Sequence, residues 1–216
     1  MNAKEMARNF GMTMPATVFL VRHGDVHNPK RILYGRLPLF RLSEKGLEEA
    51  RSVGRFLNGT PLAALYSSPL LRTRQTAREI RAYHPDLTLR RSTHLIEVLN
   101  PFEGRLSAEV DARYGDVYTG VGPPYEQPQD IVARALKFFR LARGRHAGAN
   151  VVAVTHGDVI VFAMLWARGM ALIPQSKSDL HALGFTGGYP ATGSLTAFTF
   201  RTDSPRELPE VRYFRP

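Results

Sequence analysis

Six short segments of the chain are rich in apolar residues and are bounded by turn-forming residues. Short apolar runs of this kind are typical of buried strands. They cover residues 17–22, 62–68, 86–92, 150–156, 193–200 and 211–216. Four longer segments place their apolar residues at helical spacing, and these cover residues 42–57, 69–84, 129–144 and 157–169. Ser43 is in position to cap the first of these helices, and Pro69 opens the second, a position that proline tolerates.

Because predicted strands and helices alternate along the chain, the pattern favours an α/β fold. We expect a three-layer α/β/α sandwich with a largely parallel central sheet. Residues 1–16 are predicted to be a flexible leader, and residues 17–216 to form a single domain. The segments 98–128 and 171–192 lack periodicity, and we expect these irregular insertions to select the substrate.

Composition narrows the class of protein. With 216 residues and 44% apolar residues, the chain can build one substantial core. It has no cysteine, which excludes disulfides and thiolate metal sites. The first 16 residues contain no apolar signal-peptide region, and the longest apolar run, 159–167, is too short to cross a bilayer. We therefore expect a cytoplasmic protein that does not associate with membranes.

The chain is strongly basic, with a net charge of +10 and with lysine at only five of its 29 basic positions. Arginine offers a planar pair of donors that matches phosphate and carboxylate oxygens. This balance favours acidic or phosphorylated partners, although a solvated surface would account for most of these arginines.

Two predicted strands end in the same chemistry. Residues 18–25 read VFLVRHGD and residues 151–159 read VVAVTHGDV. Because ligands bind at the carboxyl ends of parallel strands, Arg22, His23 and His156 are expected to meet. Arg72 follows a third strand through SSPLLR, and Glu97 lies where the short strand near residue 90 leads into a loop.

This set of side chains suits phosphoryl transfer. Two guanidiniums can bind the oxygens of one phosphoryl group, and a neutral imidazole can attack phosphorus. A second histidine can donate to the phosphoryl oxygens, and a glutamate can protonate the departing alkoxide. The helix that begins at Gly157 directs its positive end towards the same place.

The blocks LVRHGD, SSPLLRTRQTA, LIEVLNPFEG and VVAVTHGDV resemble, in this order, the signatures of the histidine phosphatase superfamily, in its phosphoglycerate-mutase-like branch (branch 1). The resemblance covers roughly residues 17–165. It implies a phosphoglycerate-mutase-like fold and a phosphate pocket with no metal or organic cofactor. His23 is implied as the phosphorylated nucleophile and Glu97 as the proton donor, with Arg22, Arg72, His156 and Asn28 as the phosphate-binding residues.

The sequence departs from the family pattern at several positions. Asp25 replaces the usual glutamate after Arg-His-Gly, and Asn28 stands six residues after Arg22 rather than seven. The segment after Glu97 is one residue shorter than usual, so Glu103 is the alternative proton donor. Residues 105–128 lack the long basic and aromatic insertion of the phosphoglycerate mutases. This difference favours a phosphatase.

The favoured function is therefore a phosphomonoesterase that hydrolyses a small phosphorylated metabolite through phosphohistidine and releases phosphate. The close alternative is a cofactor-dependent phosphoglycerate mutase with the same residues.

A metallohydrolase would use the pairs His23/Asp25 and His156/Asp158 as metal ligands, although Arg22 and Arg72 would repel the metal. A module that binds phospho-ligands or nucleic acid would suit the net charge, but no nucleic-acid motif is present, and we expect no nucleic-acid partner. Neither the substrate nor the oligomeric state follows from the sequence.

Overall fold

A computed structural model describes residues 15–177, 180–185 and 187–216. Residues 1–14, which make up most of the predicted leader, lie outside the described residues. The strands are β1 Ala16–Arg22, β2 Leu62–Ser67, β3 Leu89–Arg91, β4 Asn150–Thr155, β5 Leu195–Phe200 and β6 Glu210–Phe214. The helices are α1 Glu44–Leu57, α2 Leu71–Arg81, α3 Ser107–Asp111, α4 Pro128–Arg145 and α5 Gly157–Ala167. Short 3₁₀ turns cover Thr93–Leu95, Pro174–Lys177 and His181–Leu183.

The six predicted strands and four predicted helices are all present, with shifts of one to three residues at most of their ends. Ser43 caps α1 as expected, because its hydroxyl accepts a hydrogen bond from the backbone N–H of Gly46 at 3.0 Å. Helix α2 begins two residues after Pro69, with Leu70 as its N-cap. The short helix α3 within the segment 98–128 was not predicted.

The strands form one sheet in the order β3-β2-β4-β1-β5-β6. The neighbours β3, β2, β4 and β1 pair in parallel, whereas β5 is antiparallel to both β1 and β6. The register sets Arg22 of β1 opposite Thr155 of β4. The carboxyl ends of these two strands, and the residues that follow them, therefore lie side by side.

Helices cover both faces of the sheet, which confirms the three-layer α/β/α architecture. In β4, Val151 and Ala153 pack towards α4 and α5, while Val152 and Val154 pack towards α1 and α2. Strict alternation with apolar residues on both sides is expected of a strand that is buried on both faces. Helix α5 is buried along almost its whole length and forms the centre of the larger core. Among the described residues, no helix is both long and apolar enough to cross a membrane.

The loop after β1 lies directly against the start of α1. A Cβ atom on Gly24 would overlap the backbone carbonyl of Gly46, and a Cβ on Gly46 would overlap the carbonyl of Asp25. Both obstacles are backbone atoms, so neither can rotate away. Glycine at both positions therefore allows this loop to approach the helix closely.

We expect Gly24→Ala to lower the free energy of unfolding by about 1–3 kcal/mol, because the added methyl group forces the loop away from α1. Urea unfolding followed by circular dichroism would measure the change. Gly144→Ala is the matched control, since a Cβ there meets no atom within 4 Å. It should leave the protein as stable or more stable, because alanine favours helix. Equal stability of Gly24→Ala and the wild-type protein would contradict the prediction.

Candidate active site

The predicted site residues converge at the carboxyl edge of the sheet. Arg22 ends β1, His23 follows it, and His156 follows β4. Backbone hydrogen bonds join the strand ends: the N–H of His23 donates to Thr155 O at 3.1 Å, and the N–H of Ser68 donates to Val154 O at 2.9 Å. The side chains of His23, Arg72 and His156 are each at most 1% exposed. The structure therefore brings these three residues, which follow or end three neighbouring strands, close together.

Arg72 lies between the two histidines and connects them. Its Nε donates to His23 Nε2 at 3.1 Å, and its Nη2 donates to His156 Nδ1 at 3.1 Å. Nη2 also donates to the backbone carbonyl of Gly35 at 2.8 Å, and the guanidinium packs 4.7 Å from the ring centre of Tyr34. These contacts satisfy a buried cation and fix its plane.

Two hydrogen bonds define which ring nitrogen of His23 carries the proton. Nδ1 lies 2.8 Å from the carbonyl oxygen of Gly24, and a carbonyl only accepts, so Nδ1 carries the proton. Nε2 is then unprotonated, and its lone pair accepts from Arg72. Burial lowers the pKa of His23 well below the ordinary histidine value, and the charges of Arg72 and Arg22 lower it further. The arrangement holds a neutral imidazole with Nε2 ready to react.

His156 is neutral for the same reasons. Burial and the nearby charge of Arg72 lower its pKa well below the ordinary value. Its Nδ1 accepts from Arg72, so Nε2 carries the proton and donates to the hydroxyl of Ser68 at 2.9 Å. Ser68 belongs to the motif SSPLLR, but the motif alone did not identify it as a partner of the second histidine.

Arg22 lies on the other side of His23. Its guanidinium packs over the ring of Tyr189 at 4.9 Å, and its Nη1 donates to the carbonyl of Pro190. Its Nε is buried and has no hydrogen-bond partner in the structure. Since a buried donor without an acceptor is unfavourable, this group is available to an anion that enters the site.

Glu97 faces the histidines, as predicted. Its Oε2 lies 3.3 Å from His156 Nδ1 and 3.6 Å from Arg72 Nη2. Burial raises the pKa of Glu97 from its ordinary value, and this effect outweighs the opposing charge of Arg72. Two hydrogen bonds hold this loop: Thr155 Oγ1 donates to Leu95 O at 2.7 Å, and Arg36 Nε donates to Glu97 O at 2.7 Å.

The alternative acid, Glu103, lies elsewhere. Its Oε1 accepts a hydrogen bond from the backbone N–H of Arg36 at 2.7 Å, and its side chain covers Gly35. Glu103 is not among the described residues that line the cavity with His23 and Glu97. The geometry thus favours Glu97 as the carboxyl group that can reach a bound ester.

The structure does not bring Asn28 into the site. Its Nδ2 donates to Ile32 O at 2.8 Å, and its Oδ1 accepts from Ile32 N at 3.2 Å. Both polar atoms of the amide therefore close a local loop, and Asn28 is not among the described residues that line the cavity. The resemblance to the family implied that Asn28 binds phosphate, but Asn28 is displaced by one residue from the position of the family's asparagine. Tyr34, in contrast, does line the cavity.

Four residues of the site carried no recognised signal for this role. Asp158 is buried at the start of α5, where it accepts hydrogen bonds from the hydroxyls of Tyr118 and Tyr189 and pairs with Lys177. Burial alone would raise the pKa of Asp158, but Lys177 and the two hydroxyls lower it. Tyr118 and Lys177 come from the two irregular segments, in which no periodicity distinguishes them from other polar residues.

The two aspartates of the proposed metallohydrolase pairs are engaged elsewhere. Asp25 accepts from the hydroxyl of Ser43 at 2.6 Å, and Asp158 is held by the donors described above. A different set, His23, Glu97 and His156, places one ligand atom each within 4.8 Å of one another, a spacing that would suit one metal ion. Arg72 donates to the same nitrogens, however, and its positive charge opposes a dication there. The donor set therefore suits an anion better than a metal.

Comparisons with known proteins identify the family of the chain. The family model of the histidine phosphatase superfamily, branch 1, matches residues 18–188. The Mycobacterium tuberculosis protein Rv0525 is 41% identical over 162 residues, which cover 72% of this chain and 80% of that protein. The 2,3-bisphosphoglycerate-dependent phosphoglycerate mutase 2 of Gloeobacter violaceus is 30% identical, over 67% of this chain and 72% of its own length.

Among solved structures, the mycobacterial glucosyl-3-phosphoglycerate phosphatase Rv2419c superposes with a TM-score of 0.73. The alignment covers 92% of this chain and 97% of that one at 20% identity, so it bears on the fold alone. The match of the family model over most of the chain defines the class of protein. The chain belongs to branch 1 of the histidine phosphatase superfamily.

We expect His23 to remain neutral, with its proton on Nδ1, at pH values well below the ordinary histidine pKa. Arg72→Gln should raise the pKa of His23, because the loss of a neighbouring cation favours the protonated imidazole. Nitrogen NMR of the imidazole across a pH titration would measure both effects. Arg74→Gln, on the same helix, removes the same charge outside the site and should leave the titration unchanged. An unaltered pKa in Arg72→Gln would refute the assigned role of Arg72.

Proposed function

We propose that the protein is a phosphomonoesterase that hydrolyses a small phosphorylated metabolite through a phosphohistidine intermediate. The observation that carries this proposal is the position of Arg72, which donates to both His23 Nε2 and His156 Nδ1. Donors that converge between two imidazoles suit the three oxygens of one phosphoryl group. The buried, unpartnered Nε of Arg22 adds a further donor.

In the first step, Nε2 of His23 attacks phosphorus in line with the ester oxygen. A P–N bond forms while the P–O bond to the alcohol breaks. The hydrogen bond from Nδ1 to Gly24 O stabilises the positive charge that develops on the imidazole. Arg22 and Arg72 donate to the equatorial oxygens, whose charge is greatest in the transition state, and His156 does so when its Nδ1 is protonated.

Glu97 protonates the departing alcohol oxygen. Its raised pKa keeps the carboxyl group protonated at a pH at which an ordinary glutamate is ionised, while the lowered pKa of His23 keeps the nucleophile neutral. The two opposite shifts therefore favour turnover at mildly acidic pH. In the second step, Glu97 accepts a proton from water as the water oxygen bonds to phosphorus. The P–N bond breaks, and phosphate leaves.

The second candidate is a phosphoglycerate mutase, favoured by the similarity to the Gloeobacter violaceus enzyme. A mutase would use the same first step and then return the phosphoryl group to a second hydroxyl of the substrate. The segment 105–128 has no long basic and aromatic insertion, which is why we favour hydrolysis. Isomerisation of 3-phosphoglycerate without release of inorganic phosphate would establish the mutase instead.

His23→Ala should abolish phosphate release from a panel of phosphorylated metabolites, because the P–N bond forms at Nε2 of His23. The wild-type protein, quenched after mixing with a ³²P-labelled substrate, should retain label that is stable to base and labile to acid. His27→Ala is the matched control, since His27 lies on the same loop with an exposed side chain, and it should retain both properties. Normal turnover by His23→Ala would overturn the mechanism.

Glu97→Gln should reduce hydrolysis of an alkyl phosphate by roughly 100-fold or more, because the alkoxide needs a proton as it leaves. Its effect on p-nitrophenyl phosphate should be much smaller, since p-nitrophenolate leaves without protonation. Steady-state kinetics with both esters would give the two ratios. Glu103→Gln tests the alternative acid. If that variant, rather than Glu97→Gln, shows the dependence on leaving group, Glu103 is the donor.

A further inference from the structure

The alcohol side of the cavity has a different character from the phosphate side. The cavity encloses about 430 Å³ and is lined near its base by Arg22, His23 and Glu97. The lining beyond these residues includes the uncharged polar residues Asn100 and Ser107 and a larger apolar and aromatic set, with Ile32, Leu33, Tyr34, Val98, Val110 and Val117. A substrate that binds with its phosphate on the arginines must place the rest of its structure against this surface.

One cation, Lys177, lines that surface within the part of the chain that the structure describes. Its Nζ lies 2.9 Å and 3.0 Å from the two carboxylate oxygens of Asp158, and it donates to Gly115 O at 3.1 Å. The side chains of Lys177 and Asp158 are 9% and 7% exposed. Because both side chains are buried and their charged groups are in contact, Asp158 neutralises the positive charge of Lys177 before a ligand binds.

The remaining charge on this surface is negative. Asp111, at the end of α3, lines the same cavity and is exposed to it. A substrate with a carboxylate or a second phosphate would meet the negative charge of Asp111, because the Lys177–Asp158 pair carries no net charge. Beyond Arg22, no unpaired cation offsets Asp111 among the described lining residues. Neutral and apolar groups meet no such repulsion and gain from the removal of apolar surface from water.

We infer that the substrate is a phosphomonoester whose alcohol portion is uncharged and largely apolar, with the single phosphate as its only anion. This inference rests on the proposed function for the position of the phosphate. It separates this chain from enzymes that recognise phosphoglycerates or bisphosphates, because those ligands carry a second anion. Asp111 is assigned to reject such ligands by its own charge, and Asp158 is assigned to do so by neutralising Lys177.

Two esters of matched shape test the inference: 4-carbamoylphenyl phosphate and 4-carboxyphenyl phosphate, which differ in one negative charge. Their dissociation constants are measured by calorimetry on His23→Ala, which cannot form the phosphoenzyme, so binding is separated from turnover. The neutral ester should bind about tenfold more tightly, a difference typical of one unfavourable charge contact. Equal affinities, or tighter binding of the carboxylate, would overturn the inference.

Variants in the same background assign the effect to particular residues. Asp158→Asn leaves Lys177 without its carboxylate partner, so affinity for the carboxylate ester should rise about tenfold relative to the neutral ester. Adding Lys177→Met should cancel that gain. Asp111→Asn, at an exposed position where folding is not at risk, should reduce the preference in affinity for the neutral ester over the carboxylate ester. The surface control Asp86→Asn should leave this preference unchanged. An unchanged preference in both Asp158→Asn and Asp111→Asn would refute the assignment.

The same assay distinguishes the failure of the inference from the failure of the proposed function. If the neutral ester binds more tightly but the wild-type protein releases no phosphate from either ester, hydrolysis through His23 is wrong and the binding preference stands. If the wild-type protein hydrolyses both esters and binding shows no preference, the inference alone fails. If neither ester binds, both are overturned.

Discussion

The buried guanidinium of Arg72 fixes the arrangement of the rest of the site. It donates to the reactive nitrogen of one imidazole, to a nitrogen of the other and to a backbone carbonyl. A cation that is 1% exposed is tolerated only when its donors are satisfied and its neighbours are not themselves positive. Both histidines must therefore be neutral, and the same contact that stabilises Arg72 also sets the protonation state that the proposed chemistry needs.

The sheet topology makes this contact possible. Parallel pairing of β1, β4 and β2 brings three carboxyl ends together, and the backbone hydrogen bonds from His23 and Ser68 to β4 extend the register past the strands. Arg72 then enters from the first turn of α2. The position of each group is set by the backbone rather than by a flexible side chain alone, so the site is preorganised and loses little entropy when a phosphate binds.

The wall opposite the phosphate site depends on a second buried charge. Asp158 joins segments that are distant in sequence, since its carboxylate accepts from Tyr118 and Tyr189 and pairs with Lys177. Tyr189 also packs on Arg22, and its ring occupies the space where a Cβ of Gly157 would lie. The irregular segments are thus tied to the same strand end as the second histidine by direct contact.

The sequence alone determined the α/β class, the three layers, the positions of the main helices and strands, and the convergence of Arg22, His23, Arg72, Glu97 and His156. These features follow from local periodicity and from short motifs at strand ends, and both are written in consecutive residues. Tertiary structure alone decided the antiparallel direction of β5, the engagement of Asn28 with Ile32, the orientation of Glu103 away from the cavity and the pairing of Lys177 with Asp158. The physical reason is that strand direction and the partner of a charged or amide side chain depend on the three-dimensional arrangement of residues, often far apart in the chain, which no local pattern encodes.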